Sequence, residues 1–335
     1  MDPLTQIALT RQLVDIDSTT GREAEVGQVL AGTLRRLGYT VTEQPVAADR
    51  ANLIATLDPP VVVFSTHLDC VPPFMPSREE AGVLYGRGSC DAKGTICAMI
   101  AAAERLRARG ERRVGLLFVV GEERGSEGAR AANTRPAGST FLIDGEPTDN
   151  RLGSATRGIY RVRLVATGRA AHSSLPELGE SAIEKLVDVL VALRRIEWPE
   201  DVVMGRTHYS IGLISGGVAP NVIPPSADAE VMFRTVGDHQ AVRALLVKHV
   251  GRTVGVEDVL AVPPVRLKTI DGFDTAAFAF TTDIPWLDRW GTPLLLGPGS
   301  VTVAHTADEH VPIAELHRAA ELYERLARSL MSHSG

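Results

Sequence analysis

The chain has 335 residues, enough for two domains and a sizeable core. A net charge of -6 and a pI near 5.9 give no reason to expect nucleic acid or an anionic membrane as partner. No apolar run approaches the roughly 20 residues of a membrane helix, Cys70, Cys90 and Cys97 contain no CxxC pair and are too few for a disulfide framework, and the opening Met1-Asp2-Pro3-Leu4 lacks the basic and apolar regions of a signal peptide, so a cytoplasmic protein is expected.

In chain order, Leu4, Ile7, Ala8, Leu13 and Val14 predict an amphipathic helix over 4–16. Val26, Val29, Leu30, Leu34 and Leu37 predict a second helix, closed by Gly38. Strands are expected at 52–57 and 61–66, the latter ending in Ser65-Thr66-His67-Leu68-Asp69. A Gly-rich loop, Tyr85-Gly86-Arg87-Gly88-Ser89-Cys90-Asp91, leads into a helix over 93–109. Val114-Gly115-Leu116-Leu117-Phe118-Val119-Val120 is apolar almost throughout, as a strand buried on both faces of a parallel sheet would be. It runs straight into Gly121-Glu122-Glu123. If those two acids are extended neighbours, their side chains point to opposite sides and serve different partners. A short helix near 127–133 follows, then a strand over 140–144 and Gly145-Glu146-Pro147.

From about Thr156 the texture changes to strands that alternate apolar and polar residues (160–166, 209–215, 227–235), with helices over 180–195 and 238–250. The chain then returns through 263–265 to an apolar strand at 293–297 and a last helix over 313–330. The expected fold is α/β, a mostly parallel sheet with flanking helices, carrying an inserted α+β domain. The expected boundaries are 1–155 and 265–335 for the catalytic domain, and 156–264 for the insertion as a lid or dimerisation domain.

Open α/β sheets place ligands beyond the carboxyl ends of their strands. Four such places carry metal-type side chains: His67 with Asp69, Asp91, Glu122 with Glu123, and Glu146. His305 follows Gly297-Pro298-Gly299 as a fifth. Mixed His and carboxylate donors suit zinc, with cobalt or manganese as substitutes. Alone, the Glu122-Glu123 pair reads better as a solvated acidic loop; the conjunction argues for a metal site. Structural zinc prefers closed sets of Cys and His, which this set is not.

The sequence resembles the dinuclear zinc exopeptidases and deacylases, which include acetylornithine deacetylase, succinyl-diaminopimelate desuccinylase, aminoacylase and carboxypeptidase G. The matching pieces are Thr66-His67-Leu68-Asp69, Gly88-Ser89-Cys90-Asp91-Ala92-Lys93-Gly94, Gly121-Glu122-Glu123, Gly145-Glu146-Pro147-Thr148, Ala171-His172-Ser173-Ser174, Asn221-Val222-Ile223-Pro224 with Arg234, and Gly297-Pro298-Gly299 with Ala304-His305. The resemblance implies two zinc ions, one held by His67 and Glu146, the other by Glu123 and His305, with Asp91 bridging them. It implies that Asp69 fixes His67 through its far nitrogen and that Glu122 is the general base. His172, in the inserted domain and often supplied by the other subunit of a homodimer, would steady the oxyanion; read alone it is an exposed loop histidine. Asn221 and Arg234 would bind the substrate's α-carboxylate; read alone, Arg234 is a strand-end salt bridge. The backbone at Gly299 would approach substrate.

Asp144 competes with Glu146 as a ligand, and the deacetylase pattern favours Glu146. Cys70 and Cys90 read as small buried packing, with thiol ligation as a minor alternative, and Glu309 as an acid behind the ligands. His208, His239, His249, His310, His317 and His333 have no expected catalytic part. One departure from the family is the segment 270–290, where a strand–helix unit looks reduced. The expected activity is hydrolysis of the amide of an N-acyl-L-amino acid, acetylornithine deacetylase-like and so a step of arginine biosynthesis. Desuccinylase and dipeptidase or carboxypeptidase activities on short peptides are the alternatives within the class. A non-catalytic binding homologue is the alternative outside it.

Overall fold

The computed structural model describes residues 2–251 and 253–332; His333 lies outside the described residues. The chain forms two compact units: residues 2–154, 267–276 and 282–332 make the first, and 155–266 with 277–281 the second. The short return of 277–281 to the second unit breaks into the stretch that the sequence assigned entirely to the catalytic domain.

The first unit is built on six strands: β1 (Thr40–Ala47), β2 (Arg50–Thr56), β3 (Val62–His67), β4 (Val114–Val119), β5 (Phe141–Asp144) and β6 (Thr292–Leu295). They lie in the order β1-β2-β4-β3-β5-β6. β4, β3, β5 and β6 are mutually parallel, while β2 runs antiparallel to β4 and β1 antiparallel to β2. β3 and β4 are buried along their whole length because each face meets its own core. Leu116 and Phe118 join one core with the helices Ala24–Arg36, Lys93–Ala108 and Ile313–Ser332, and Leu117 and Val119 join the other with Ala129, Leu287 and Trp290. The chain leaves β3 for β4 on one side, then crosses to β5 on the other. That reversal marks β3 as the point where a parallel sheet opens a crevice at its carboxyl edge.

Strand β1 has no counterpart in the sequence reading. It is an edge strand, largely exposed, whose Pro45 falls at a shift in register. Without a buried face it carries no alternation to detect. Between 270 and 290 the chain forms the strand Thr275–Phe278 and a single 3-10 turn, Ile284–Trp286, with no α-helix.

The second unit is a four-stranded antiparallel sheet in the order His208–Gly216, Ser226–Thr235, Gly158–Thr167, Val254–Val262. Tyr160, Val162, Leu164 and Ala166 face the helices Ala182–Leu193 and His239–Val250. The strand Val254–Val262 escaped the sequence pattern because a bulge between Asp258 and Leu260 interrupts its alternation. Among the described residues no helix is long and apolar enough to cross a membrane.

Candidate metal centre

His67, Glu123 and Glu146 stand at or just beyond the ends of β3, β4 and β5, whereas Asp91 lies at the close of the Gly-rich loop and His305 in a turn beyond β6. His67 is the last residue of β3 and is 2 % exposed. Its Nδ1 lies 2.9 Å from the backbone oxygen of Asp69, and its Nε2 lies 2.8 Å from Asp91 Oδ1. Burial opposes a charge on this ring, yet Asp69, Asp91 and Glu146 together hold its pKa well above that of an ordinary imidazole.

Asp69 departs from its expected part. Its carboxylate is 3.5 Å from His67 Nδ1, farther than its own carbonyl oxygen, which takes the close contact. The carboxylate instead accepts the backbone amides of Glu122 (3.0 Å) and Glu123 (3.2 Å) and the Thr20 hydroxyl (2.8 Å). A second difference follows. Glu122 and Glu123 are not extended neighbours but form a 3-10 turn after Gly121, whose φ of 73° favours glycine. The turn still separates the two side chains, and its amide ends point at Asp69.

Asp91 closes the Gly-rich loop, with a cis peptide bond to Ala92. Its two oxygens reach two histidines: Oδ1 is 2.8 Å from His67 Nε2, and Oδ2 is 3.2 Å from His305 Nε2. Burial would raise its pKa, but His305 and His67 outweigh that and hold the carboxyl below the usual range. His305 Nε2 is also 2.9 Å from Glu123 Oε1. The acids Asp91 and Glu123 push the His305 pKa up to about 10. Glu146, the second residue beyond β5, is buried, and its carboxyl is raised well above the ordinary range by burial and by Asp91.

These side chains form two triads, His67–Asp91–Glu146 and Asp91–Glu123–His305, each with its ligand atoms within 4.8 Å of one another. The donor set fits two divalent cations sharing Asp91: imidazole nitrogens and carboxylates converge on two points, and among the described residues no lysine or arginine side chain is paired with any of the five ligands. Glu122 stands next to Glu123 without being a member of either triad. Burial, then the charges of Asp283, Glu123 and Asp69, raise its proton affinity well above that of an ordinary glutamate.

Asp144 is not a ligand in either triad, so Glu146 takes the place for which the two compete. Burial and Asp283 push the Asp144 pKa up to about 8, and one of its oxygens has no hydrogen-bond partner. Asp283 is the acid that sequence reasoning missed. It is 2 % exposed, sits in the shortened segment before β6 and loads charge onto both Glu122 and Asp144. No local pattern marks it, because its meaning comes from a neighbour more than 150 positions earlier.

Gly299 also departs from expectation. Its amide donates to Glu315 Oε2 at 2.9 Å, and its carbonyl accepts from Asp149 at 2.8 Å. A Cβ there would come within 2.5 Å of Cys90 Sγ, and one on Gly297 within 2.3 Å of the Glu146 carbonyl oxygen. Gly297 makes room for the backbone of Glu146 and Gly299 for the Cys90 side chain, and both backbone polar groups of Gly299 have partners within the chain. Cys70, Cys90 and Cys97 are buried free thiols. His172, Asn221 and Arg234 belong to the second unit. His172 is exposed, with Nδ1 2.7 Å from Ser174 Oγ, and Asn221 is exposed on the neighbouring loop. Arg234 is half-buried, its charge opposed by burial, and has no ion pair among the described residues, so the salt bridge that was its alternative role is not made.

Residues 63–329 match the model of peptidase family M20/M25/M40. The chain belongs to that family. As an M20 member it is a metallo-hydrolase, and dinuclear metal binding is typical of its relatives. It is 36 % identical over 333 residues to a peptidase M20 domain-containing protein of Schizosaccharomyces pombe, covering 96 % of this chain and 83 % of that one. A probable carboxypeptidase of Aspergillus terreus is 36 % identical over 373 residues, covering 97 % and 86 %. Among solved structures, the M20 chain superposes on the aminopeptidase PepT of Bacillus cereus with a TM-score of 0.83, covering 99 % of each at 21 % identity, which establishes the shared fold.

Proposed function

We propose that this chain is a two-zinc peptidase that cleaves the amide bond preceding a residue with a free α-carboxylate in short peptides. The observation that carries the reading is the pair of triads joined by Asp91, with Glu122 beside them, in a chain 36 % identical over nearly its whole length to a probable carboxypeptidase. Acetylornithine deacetylase rested on Gly145-Glu146-Pro147-Thr148 and Gly297-Pro298-Gly299. Those two motifs bind each other: the Gly297 amide donates to Thr148 Oγ1 at 2.9 Å, and Thr148 Oγ1 donates to the Gly297 carbonyl at 3.1 Å. They are interior joints and carry no information about an acyl group, so a step in arginine biosynthesis has no support from them.

In this reading His67, Asp91 and Glu146 hold one cation and Asp91, Glu123 and His305 the other. When bound, the cations supply Lewis acidity to the amide carbonyl and acidify water. Glu122 takes the proton from the attacking water, a carbon–oxygen bond forms, the carbon–nitrogen bond breaks, and Glu122 returns the proton to the leaving amine. Asp69 holds the turn that presents Glu122 and Glu123 at fixed positions. His172 as oxyanion donor, and Asn221 as part of a carboxylate site, rest on the family resemblance. Arg234 has in addition its missing partner, since a half-buried guanidinium with no acid is suited to an anionic group of the substrate. A homodimer through the second unit is supported by the edge strand His208–Gly216, which leaves Ile211, Leu213 and Ile214 40 %, 65 % and 60 % exposed. A monomer in sedimentation equilibrium would overturn that part.

The test is a panel of dipeptides and tripeptides with free and amidated carboxyl ends, beside N-acetyl-L-ornithine and an N-succinyl amino acid. Cleavage confined to peptides with a free carboxylate is expected. A higher kcat/KM for N-acetyl-L-ornithine than for every peptide would overturn the peptidase reading in favour of the deacetylase.

A further inference from the structure

The loop that delivers the bridging ligand and the turn that delivers His305 are joined by one buried ion pair. The Glu309 side chain is wholly buried, and that of Arg87 is 3 % exposed. Glu309 Oε1 accepts the backbone amides of Gly88 at 2.7 Å, Asp91 at 3.2 Å and Cys90 at 3.4 Å, while its Oε2 accepts from Arg87 Nη1. The Glu309 carbonyl accepts the Gly86 amide at 3.1 Å. Arg87 in turn spans to the other segment, with Nη2 donating to the Thr306 carbonyl at 3.1 Å. Thr306 follows His305, whose φ of 64° is left-handed, a conformation that a residue with a Cβ keeps only when its surroundings hold it.

We propose that Glu309 and Arg87 are a positioning pair that fixes the Asp91 loop and the His305 turn as one body, on which the Asp91–Glu123–His305 site depends more than the His67–Asp91–Glu146 site. The inequality follows from where the ligands originate. In the first-named site Asp91 and His305 both come from the tied segments, and only Glu123 is anchored elsewhere, through Asp69. In the other, His67 and Glu146 stand at the ends of β3 and β5, and only Asp91 comes from the tied loop. A buried ion pair adds little to stability over an apolar pair of the same size. A carboxylate gathering the amides of Gly88, Cys90 and Asp91 and a guanidinium is, by contrast, well suited to holding a ligand's orientation. The inference rests on the two-cation reading of the centre.

Zinc affinities of the full chain, measured by competition against a chelator, test it. The His305→Ala background leaves only the His67–Asp91–Glu146 site and assigns the steps. Glu309→Gln is expected to weaken the His305-containing site by about ten-fold or more while the other changes by no more than about three-fold. Glu309→Gln leaves Arg87 buried without a counter-charge, so the double variant Arg87→Gln/Glu309→Gln is measured beside it. It is expected to recover melting temperature and to keep the loss of affinity, which a purely structural pair would not do. Equal weakening of both sites, or unchanged affinities in either folded variant, would overturn the proposal. Fewer than two cations on the wild-type chain would instead bring down the two-cation reading, and this inference with it.

Discussion

Arg234 and Asp69 show how far a residue's type foretells its partner. For Arg234 the sequence left a choice between substrate carboxylate and structural salt bridge, and among the described residues it makes no ion pair. If it binds the free carboxylate through a charge-assisted pair, Arg234→Ala loses about 1.5–3 kcal/mol of that interaction. Steady-state kinetics should then show KM for a free-carboxylate dipeptide rising by about ten- to a hundred-fold with kcat nearly kept. An amidated peptide, which lacks the carboxylate, should be turned over equally poorly by both proteins; a matching loss on it would count against the role. Asp69 was legible as important and not as to what it holds. Pattern matching placed it two residues from His67, but the amides it accepts belong to a turn more than 50 positions away. Side chain to side chain pairing is guessed from chemistry; side chain to backbone pairing needs the fold.

Strands, not loops, made most of the centre readable. The apolar runs of β3, β4 and β5 announce buried parallel strands, so His67 and the Glu122–Glu123 pair could be placed at strand ends from hydrophobicity, while the choice of Glu146 over Asp144, where β5 stops, needed the Gly145-Glu146-Pro147-Thr148 motif. The edge strand β1 and the bulged Val254–Val262 lack that signature and went unread. The glycine-rich segment before His305 was read as a substrate contact because glycine permits close approach, without a means of telling which neighbour approaches. It is Glu146 that does. Gly297→Ala would put a methyl group 2.3 Å from the Glu146 carbonyl oxygen, which belongs to backbone and cannot swing away. Overpacking of this kind costs about 1–3 kcal/mol. Urea unfolding should show that loss together with reduced zinc occupancy, since the segment that must shift carries a ligand. Wild-type stability with full occupancy would contradict the packing argument.

At the scale of the whole molecule, protons and cations compete for the same ligands. His305 has its pKa raised from 6.5 to about 10 by Asp91 and Glu123. The sign follows from linkage: a group held above its unfolded value stabilises the metal-free chain fully below pH 6.5, and the contribution is lost as pH rises through about 10. A cation needs the neutral ring, so it must displace that proton. Calorimetric titration of the metal-free chain with zinc near pH 7.5, in buffers of different ionisation enthalpy, should therefore report net proton release and an affinity that rises with pH. Binding without proton release would contradict the assignment of His305. Once bound, cations at a hundred times their dissociation constant stabilise the fold by about 2.7 kcal/mol per site, read as a higher melting temperature that a chelator reverses.

In the proposed function, two cations shared through Asp91 and a base at Glu122 make this M20 chain a peptidase. That reading is tested most directly by kcat on a free-carboxylate dipeptide for wild type and Glu122→Ala, with the metal content of both determined on the same samples. Two cations per chain are expected in each, with a loss of about 100- to 10,000-fold in kcat for the variant, the contribution of a general base. Turnover in Glu122→Ala within a few-fold of wild type, at equal metal content, would contradict it.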